Sequence, residues 1–298
     1  MGGEPLILPR SSIRAGVRFV LMVLVNIVLM LTYAVSVGPA RRWRRPVQVL
    51  WCRILCRLAG LRVRLSGTPR NQGATLFVAN HVSYLDVPVI ARFADATFVA
   101  KAEVARWPLF GQAARVTGTI FIERVGAEAR AHGRRMQDRL AAGENLMLFA
   151  EGTSTDGSTV APFKSTLFGV AENAPPELDM MVQPVSITYA RALDGTPLVG
   201  DLRDLYCWFG DATLLPHLMR MLSLPGAEVD LRFHQPIAVA GIGRKDIARC
   251  VQAAVAAGVA AANAPLVVDA RPAAESADDF GAAPAAAATA TDASAACH

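Results

Sequence analysis

The run Asn80-His81-Val82-Ser83-Tyr84-Leu85-Asp86 follows directly on the apolar stretch 75–79. A neutral imidazole is well suited to take a proton from a hydroxyl near neutral pH. A carboxylate held against such a ring can orient it and stabilise the cation that it becomes. His81 and Asp86 can therefore act as a general base and its orienting acid, without a protein nucleophile. The same residues also read as helix punctuation. Ser83-x-x-Asp86 has the spacing of a capping box, and an acid in a first helical turn suits the helix dipole.

Two further runs end apolar stretches in polar chemistry. Gly118-Thr119-Ile120-Phe121-Ile122-Glu123-Arg124 delivers a guanidinium that can grip an anion bidentately, or can be an ordinary arginine at a strand end. Leu146-Met147-Leu148-Phe149-Ala150-Glu151-Gly152-Thr153-Ser154-Thr155-Asp156-Gly157 offers an acid, a glycine and hydroxyls. Glu151 can accept from substrate hydroxyls or pair with a base, and Gly152 permits close backbone approach. The alternative is a polar turn closing a strand. A fourth run, Val182-Gln183-Pro184-Val185-Ser186-Ile187, carries a proline in strand-like sequence, which implies an edge or a bulge.

These runs need elements to position them. Strand patterns cover residues 62–65, 75–79, 97–100, 119–122, 146–149, 182–188 and 228–233, and helical patterns cover 84–93, 127–142, 164–173, 212–222 and 244–262. Their alternation predicts an α/β layered domain with a mostly parallel central sheet, over residues 61–264. Each chemical run then lies at a strand end, where α/β proteins present reactive groups.

Ahead of that domain, residues 1–60 read as membrane-anchoring helices. Residues 19–40 form a 22-residue stretch without charge, long enough to span a hydrocarbon core. Arg10, Arg14 and Arg18 precede it, and Arg41, Arg42, Arg44, Arg45, Arg53 and Arg57 follow it. The larger basic flank predicts a body on the cytoplasmic side of the inner membrane, and it reads as a stop-transfer flank rather than a cleaved leader. A second apolar helix, 46–61, carries Arg53 and Arg57 and suits the membrane interface. Residues 265–298, rich in Ala, Asp, Ser and Pro, predict a disordered tail. That tail carries net −4 of a chain total of +5, leaving +9 on the body. A basic body suits an anionic membrane or an acidic carrier protein, and no nucleic-acid motif accompanies it. The five cysteines and five histidines form no metal-ligand spacing.

In order, N-H-x-x-x-x-D, F-I-x-R, E-G-T and a P-V strand resemble the glycerolipid acyltransferase family that includes 1-acyl-glycerol-3-phosphate acyltransferases. Lys101-Ala102-Glu103, Trp107-Pro108-Leu109-Phe110-Gly111 and Pro162-Phe163-Lys164 resemble the family's intervening segments. The resemblance covers residues 61–236. It implies that His81 deprotonates an acceptor hydroxyl, that Asp86 holds His81, and that the hydroxyl attacks a thioester directly. Arg124, Glu151, Gly152, Thr153, Ser154, Lys101 and Lys164 would shape the substrate site. No metal and no resident cofactor are implied; acyl carrier protein or coenzyme A brings the acyl group, and a lysolipid in the membrane receives it. Two rivals, a non-catalytic lipid-binding protein and a hydrolase, are weakened by the intact His81 and Asp86 and by the lack of a G-x-S-x-G elbow. Phosphatidate-forming members commonly read F-P-E-G-T-R, whereas Ala150 and Ser154 stand in those positions here. Glu151 to Gly157, with Trp208-Phe209-Gly210-Asp211 and Leu214-Leu215-Pro216-His217, looks more like the branch that acylates lyso-ornithine lipid.

Overall fold

The computed structural model describes residues 10–36, 38–122 and 128–264. Arg124 and residues 265–298, with the expectations placed on them, lie outside the described residues.

The described strands form one sheet in the order β1 (Leu61–Ser66), β7 (Ala227–Phe233), β6 (Met181–Ala192), β2 (Thr75–Ala79), β5 (Leu146–Phe149), β3 (Thr97–Lys101), β4 (Ile120–Ile122), with β8 (Ile237–Ala238) also paired to β6. β6, β2, β5, β3 and β4 run parallel, and β7 runs antiparallel to β6. The expected mostly parallel sheet is thus present. All five side chains of β2 are buried, as a central strand covered on both faces requires. Phe77 and Ala79 enter one core and Leu76 and Val78 the other, following the two-residue period of a strand.

The first core lies under α1 (Ser12–Val35), α2 (Arg44–Leu58), α3 (Asp86–Ala91) and α7 (Leu214–Leu222). The second lies under α5 (Glu128–Ala141), the short α6 (Gly169–Glu172) and α8 (Arg244–Asn263). α4 (Phe110–Val116) leads into β4. Between α2 and β1, Gly60 (φ +73°) lies back to back with Gly226 (φ +145°), where a Cβ on either would meet the other's backbone. Glycine at both positions lets α2 turn straight into β1 beside β7.

Two expectations change. Residues 164–173 are not one helix but a 3₁₀ turn, Ser165–Phe168, followed by α6, since Gly169 weakens helical continuity. Pro184 is in an interior strand rather than at an edge or a bulge. β8 pairs with Met181 and Val182 of β6, and β7 pairs from Val185 onward. Pro184 falls in the gap between them, where a missing N–H breaks no ladder. Its carbonyl still accepts from His234 N at 2.9 Å.

α1 begins at Ser12, capped by Ser11 Oγ accepting from Arg14 N, so Arg14 and Arg18 lie in its first two turns, ahead of the uncharged run. Arg18 donates to the carbonyls of Leu222, Leu224 and Pro225, and Arg14 to that of Ser223. These carbonyls lie at and just past the end of α7, where cations are favoured, and that of Ser223 also accepts from Ser11 N. α2 folds back along α1: Trp51 Nε1 donates to Asn26 Oδ1 at 3.1 Å, and Arg44 lies over the Tyr33 ring. α1 is long and apolar enough to cross a membrane. Yet it forms a helical hairpin docked on the α/β domain.

Candidate active site

β2 ends at Ala79, and the loop that follows is held on all sides. The Asn80 side chain donates to the Ile187 carbonyl and accepts from the Ile187 N–H, both at 2.9 Å, replacing the ladder where β6 outruns β2. Glu151, beyond the end of β5, accepts from His81 N at 2.8 Å and from Ala161 N at 3.0 Å. Thr155 N donates to the His81 carbonyl. The backbone of His81 is therefore fixed by two strands and the loop after β5.

Asp86 Oδ2 accepts from His81 Nδ1 at 2.8 Å, from Val82 N at 2.8 Å and from Ser83 N at 3.0 Å. Because a carboxylate only accepts, His81 Nδ1 carries the proton and Nε2 keeps its lone pair. Only half of the capping pattern forms: the carboxylate that holds the imidazole also accepts from Ser83 N, while α3 starts after Leu85 with no side-chain cap. α3 is shorter than the expected 84–93 helix because residues 83–85 make this turn. Asp86 is fully buried, while His81 remains partly exposed. The His81 ring stacks on Phe149 at 4.0 Å between centroids and 20° between planes, which limits its tilt.

His81 borders a cavity of about 1120 Å³. Gly152, Thr153, Ser154, Lys101 and Lys164 line it as well, so five of the residues expected to bind substrate surround one space with the histidine. Gly152 has φ +72°, which lets the chain turn past the cavity wall after Glu151. Glu151 differs from the expectation that its carboxylate meets substrate. It is turned inward, 2% exposed, with both oxygens on backbone amides. Burial pushes its carboxyl above the usual range, and the two N–H bonds and the nearby His81 counter that rise.

Much of the cavity wall was invisible to motif reasoning. Phe19 and Met22 of α1 and Trp51, Cys52 and Leu55 of α2 line its apolar part, with Phe98 of β3. Trp107 and Trp208 meet edge-on at 5.2 Å and border it on another side. Tyr84 is hydrogen-bonded to His217 Nδ1 at 3.0 Å, and Trp208 N donates to the Val82 carbonyl, fastening the 207–217 segment to the dyad loop. The uncharged run of α1 was legible in the sequence, but nothing in it marks which residues face the cavity. Among the described residues, no group of three or more His, Cys, Asp or Glu side chains is placed to hold a metal.

A histidine held at Nδ1 by a carboxylate, its ring stacked, on a largely apolar cavity that two lysines also line, can deprotonate the hydroxyl of a long-chain anionic or zwitterionic molecule. Residues 61–188 match the acyltransferase family. A lyso-ornithine lipid O-acyltransferase from Brucella abortus is 38% identical over 215 residues, covering 70% of this chain and 80% of that protein. One from Rhizobium meliloti is 36% identical, covering 80% of this chain and 83% of that protein. The chain belongs to the acyltransferase family that it shares with these relatives. The crystal structure of the 1-acyl-sn-glycerophosphate (LPA) acyltransferase PlsC from Thermotoga maritima has the same fold, with a TM-score of 0.60 at 19% identity, over 84% of this chain and 98% of that one.

Proposed function

We propose that this protein is a membrane-associated O-acyltransferase that moves a fatty acyl group from an acyl carrier protein or coenzyme A thioester to a lysolipid hydroxyl, with lyso-ornithine lipid as the preferred acceptor. The observation that carries the proposal is the His81–Asp86 pair beside a cavity of about 1120 Å³ whose apolar wall is built partly from α1 and α2. His81 Nε2 takes the acceptor's hydroxyl proton as its oxygen attacks the thioester carbonyl. The tetrahedral intermediate collapses, the C–S bond breaks, and the thiolate leaves with the proton that His81 gained. No acyl-enzyme forms, and Asp86 stabilises the imidazolium between the two transfers. The site residues have no call on a metal or resident cofactor in this scheme. Arg124 remains a proposed anion contact.

The hairpin supports membrane association. Ile13, Val17, Val20, Leu24, Val28 and Leu31 of α1 are all more than half exposed. Arg53 and Arg57, on α2 alongside, are also exposed. A spanning arrangement would carry those guanidinium groups into hydrocarbon, whereas a hairpin lying in the interface keeps them at the headgroups. The larger basic flank supports a body on the cytoplasmic side of the inner membrane, where acyl thioesters are available.

Acceptor choice rests on names and one residue. The relatives cited above are named for lyso-ornithine lipid, and Ser154 borders the cavity where phosphatidate-forming sequences commonly carry arginine. A zwitterionic headgroup needs less positive charge than a phosphate monoester. Purified protein in detergent, given labelled acyl thioester, is expected to show a higher kcat/KM for lyso-ornithine lipid than for lysophosphatidate. Ser154→Arg is expected to move the ratio toward lysophosphatidate. A wild-type preference for lysophosphatidate that Ser154→Arg leaves unchanged would overturn the acceptor assignment, with Lys101 and Lys164 then serving as the phosphate's cations. No transfer to either acceptor would overturn the activity itself.

A further inference from the structure

Asp86 has two carboxylate oxygens, and the bonds to His81, Val82 and Ser83 all use Oδ2. Oδ1 lies 3.1 Å from the hydroxyl of Tyr189. Tyr189 belongs to the part of β6 that continues past β2, beyond the last parallel pair, Ala79 with Val185. The Asn80 amide keeps that extension in line at Ile187, two residues earlier. The Tyr189 ring is buried and stacked on Tyr206 at 6.3 Å and 16°, and Tyr206 in turn donates to the Gly226 carbonyl at 2.7 Å.

We propose that Tyr189 is a positioning residue for the dyad: its hydroxyl fixes the rotation of the Asp86 carboxylate so that Oδ2 stays on His81 Nδ1 while the imidazole gains and loses a proton. The proposal rests on His81 being the base. The ring itself needs no hydroxyl for packing, because a phenylalanine fills nearly the same space against Tyr206. What the oxygen adds is a bond to an acceptor that is otherwise buried without one. Burial and the neighbouring Asp86 push the phenol well above its ordinary value, so it remains a donor and never competes as an anion. The other titratable groups acting on Tyr189 are the thiols of Cys207, in the loop before α7, and Cys56 of α2, both themselves pushed up by burial. They stay neutral and leave Asp86 as the charged group facing the tyrosine.

Without this bond, the charge on Asp86 concentrates toward His81 and favours the imidazolium, while the carboxylate is freer to turn. Tyr189→Phe in the full-length protein is therefore expected to lower kcat about tenfold, equivalent to ~1.4 kcal/mol. The acceptor KM should stay within about twofold, and the acidic limb of the kcat/KM profile should move to higher pH. A folded Tyr189→Phe protein with unchanged kcat overturns the proposal. So does a lower kcat with an unmoved limb, which marks packing alone. If Tyr189→Phe does not fold, 3,5-difluorotyrosine at position 189 takes its place as a nearly isosteric, stronger donor. Its limb should move to lower pH, and an unmoved limb overturns the proposal. His81→Ala measured alongside separates the two ideas. Activity retained in His81→Ala removes the base assignment, whereas its loss combined with an indifferent Tyr189→Phe removes only the positioning role.

Discussion

Along α1, Ile13, Val17, Val20, Leu24, Val28 and Leu31 face outward, while at the ends of β2 and β5 the polar side chains of Asn80, Asp86 and Glu151 are buried. The two regions handle solvent in opposite ways. The hairpin leaves apolar surface uncovered, and Arg14 and Arg18 fasten it to the body through backbone carbonyls. The corner around His81 covers its polar groups, but every carboxylate oxygen of Asp86 and Glu151 meets a donor. Burial of a carboxylate is tolerable only when it is hydrogen-bonded, and an apolar helix face is tolerable only when something other than water meets it. The corner is thus organised for orientation and the hairpin for an apolar neighbour. The cavity between them takes His81 from one and Phe19, Met22 and Trp51 from the other.

Breaking the corner should have the largest effect. His81→Ala is expected to reduce acyl transfer by at least about a hundredfold, the usual scale for a lost general base, while lysolipid binding changes far less. Turnover assays and equilibrium binding to vesicles containing lysolipid check this together. Near-normal turnover in a folded variant would show that the corner holds a buried polar turn and no base.

The hairpin offers the opposite test. Leu24→Asp with Val28→Asp places two charges on its outward face without touching the cavity. Vesicle sedimentation should show partitioning weakened by about tenfold or more, because each carboxylate opposes entry into hydrocarbon. Acyl transfer to a short-chain, water-soluble acceptor should stay near wild type. Equal loss of both would mean that the face packs against protein rather than lipid.

Glu151→Gln sharpens the distinction between positioning and binding at the corner. An amide turns one of its two acceptor sites into a donor, leaving an N–H of His81 or Ala161 facing an NH₂. A fall in kcat of roughly fivefold and a lower Tm are expected, with acceptor KM little changed. A selective rise in KM would instead restore the substrate contact first expected of this residue.

The smallest effect belongs to a site away from both regions. His234, bonded to Ser186 Oγ at 3.0 Å beneath Gly258 of α8, is held down to about 4 by burial and by the nearby Arg232. A depressed histidine is neutral when folded, so the unfolded chain binds more protons between about 4 and its ordinary value of 6.5. Its contribution is present above that ordinary value and is lost as the pH falls through the window. Tm should therefore drop from pH 6.5 to 4 more steeply in wild type than in His234→Asn, by a few degrees in differential scanning fluorimetry. Parallel curves would assign the whole slope to other groups.

The sequence by itself determined the strands, the five-residue spacing of His81 and Asp86, and the uncharged length of α1. Each is local: a two-residue period or an uncharged run over one segment, or two side chains five positions apart within one loop. It also showed that Gly152, Thr153 and Ser154 end a strand near His81, since parallel strands collect such ends at one edge of the sheet. What lay beyond it was direction and partnership. Nothing local reveals that Glu151 turns inward, because the amide of His81 that it holds is 70 residues away. The hydroxyl of Tyr189 reaches Asp86 across 103 residues, and only the overhang of β6 past β2 brings it there. Pro184 read as an edge residue because sequence cannot show two antiparallel partners dividing one strand. Length and hydropathy mark the N-terminal helix as long enough to cross a membrane, but they carry no record of the carbonyls that its arginines bind. The tertiary structure settled those points, since a hydrogen bond depends on distance and angle in space, and chain separation places no limit on either.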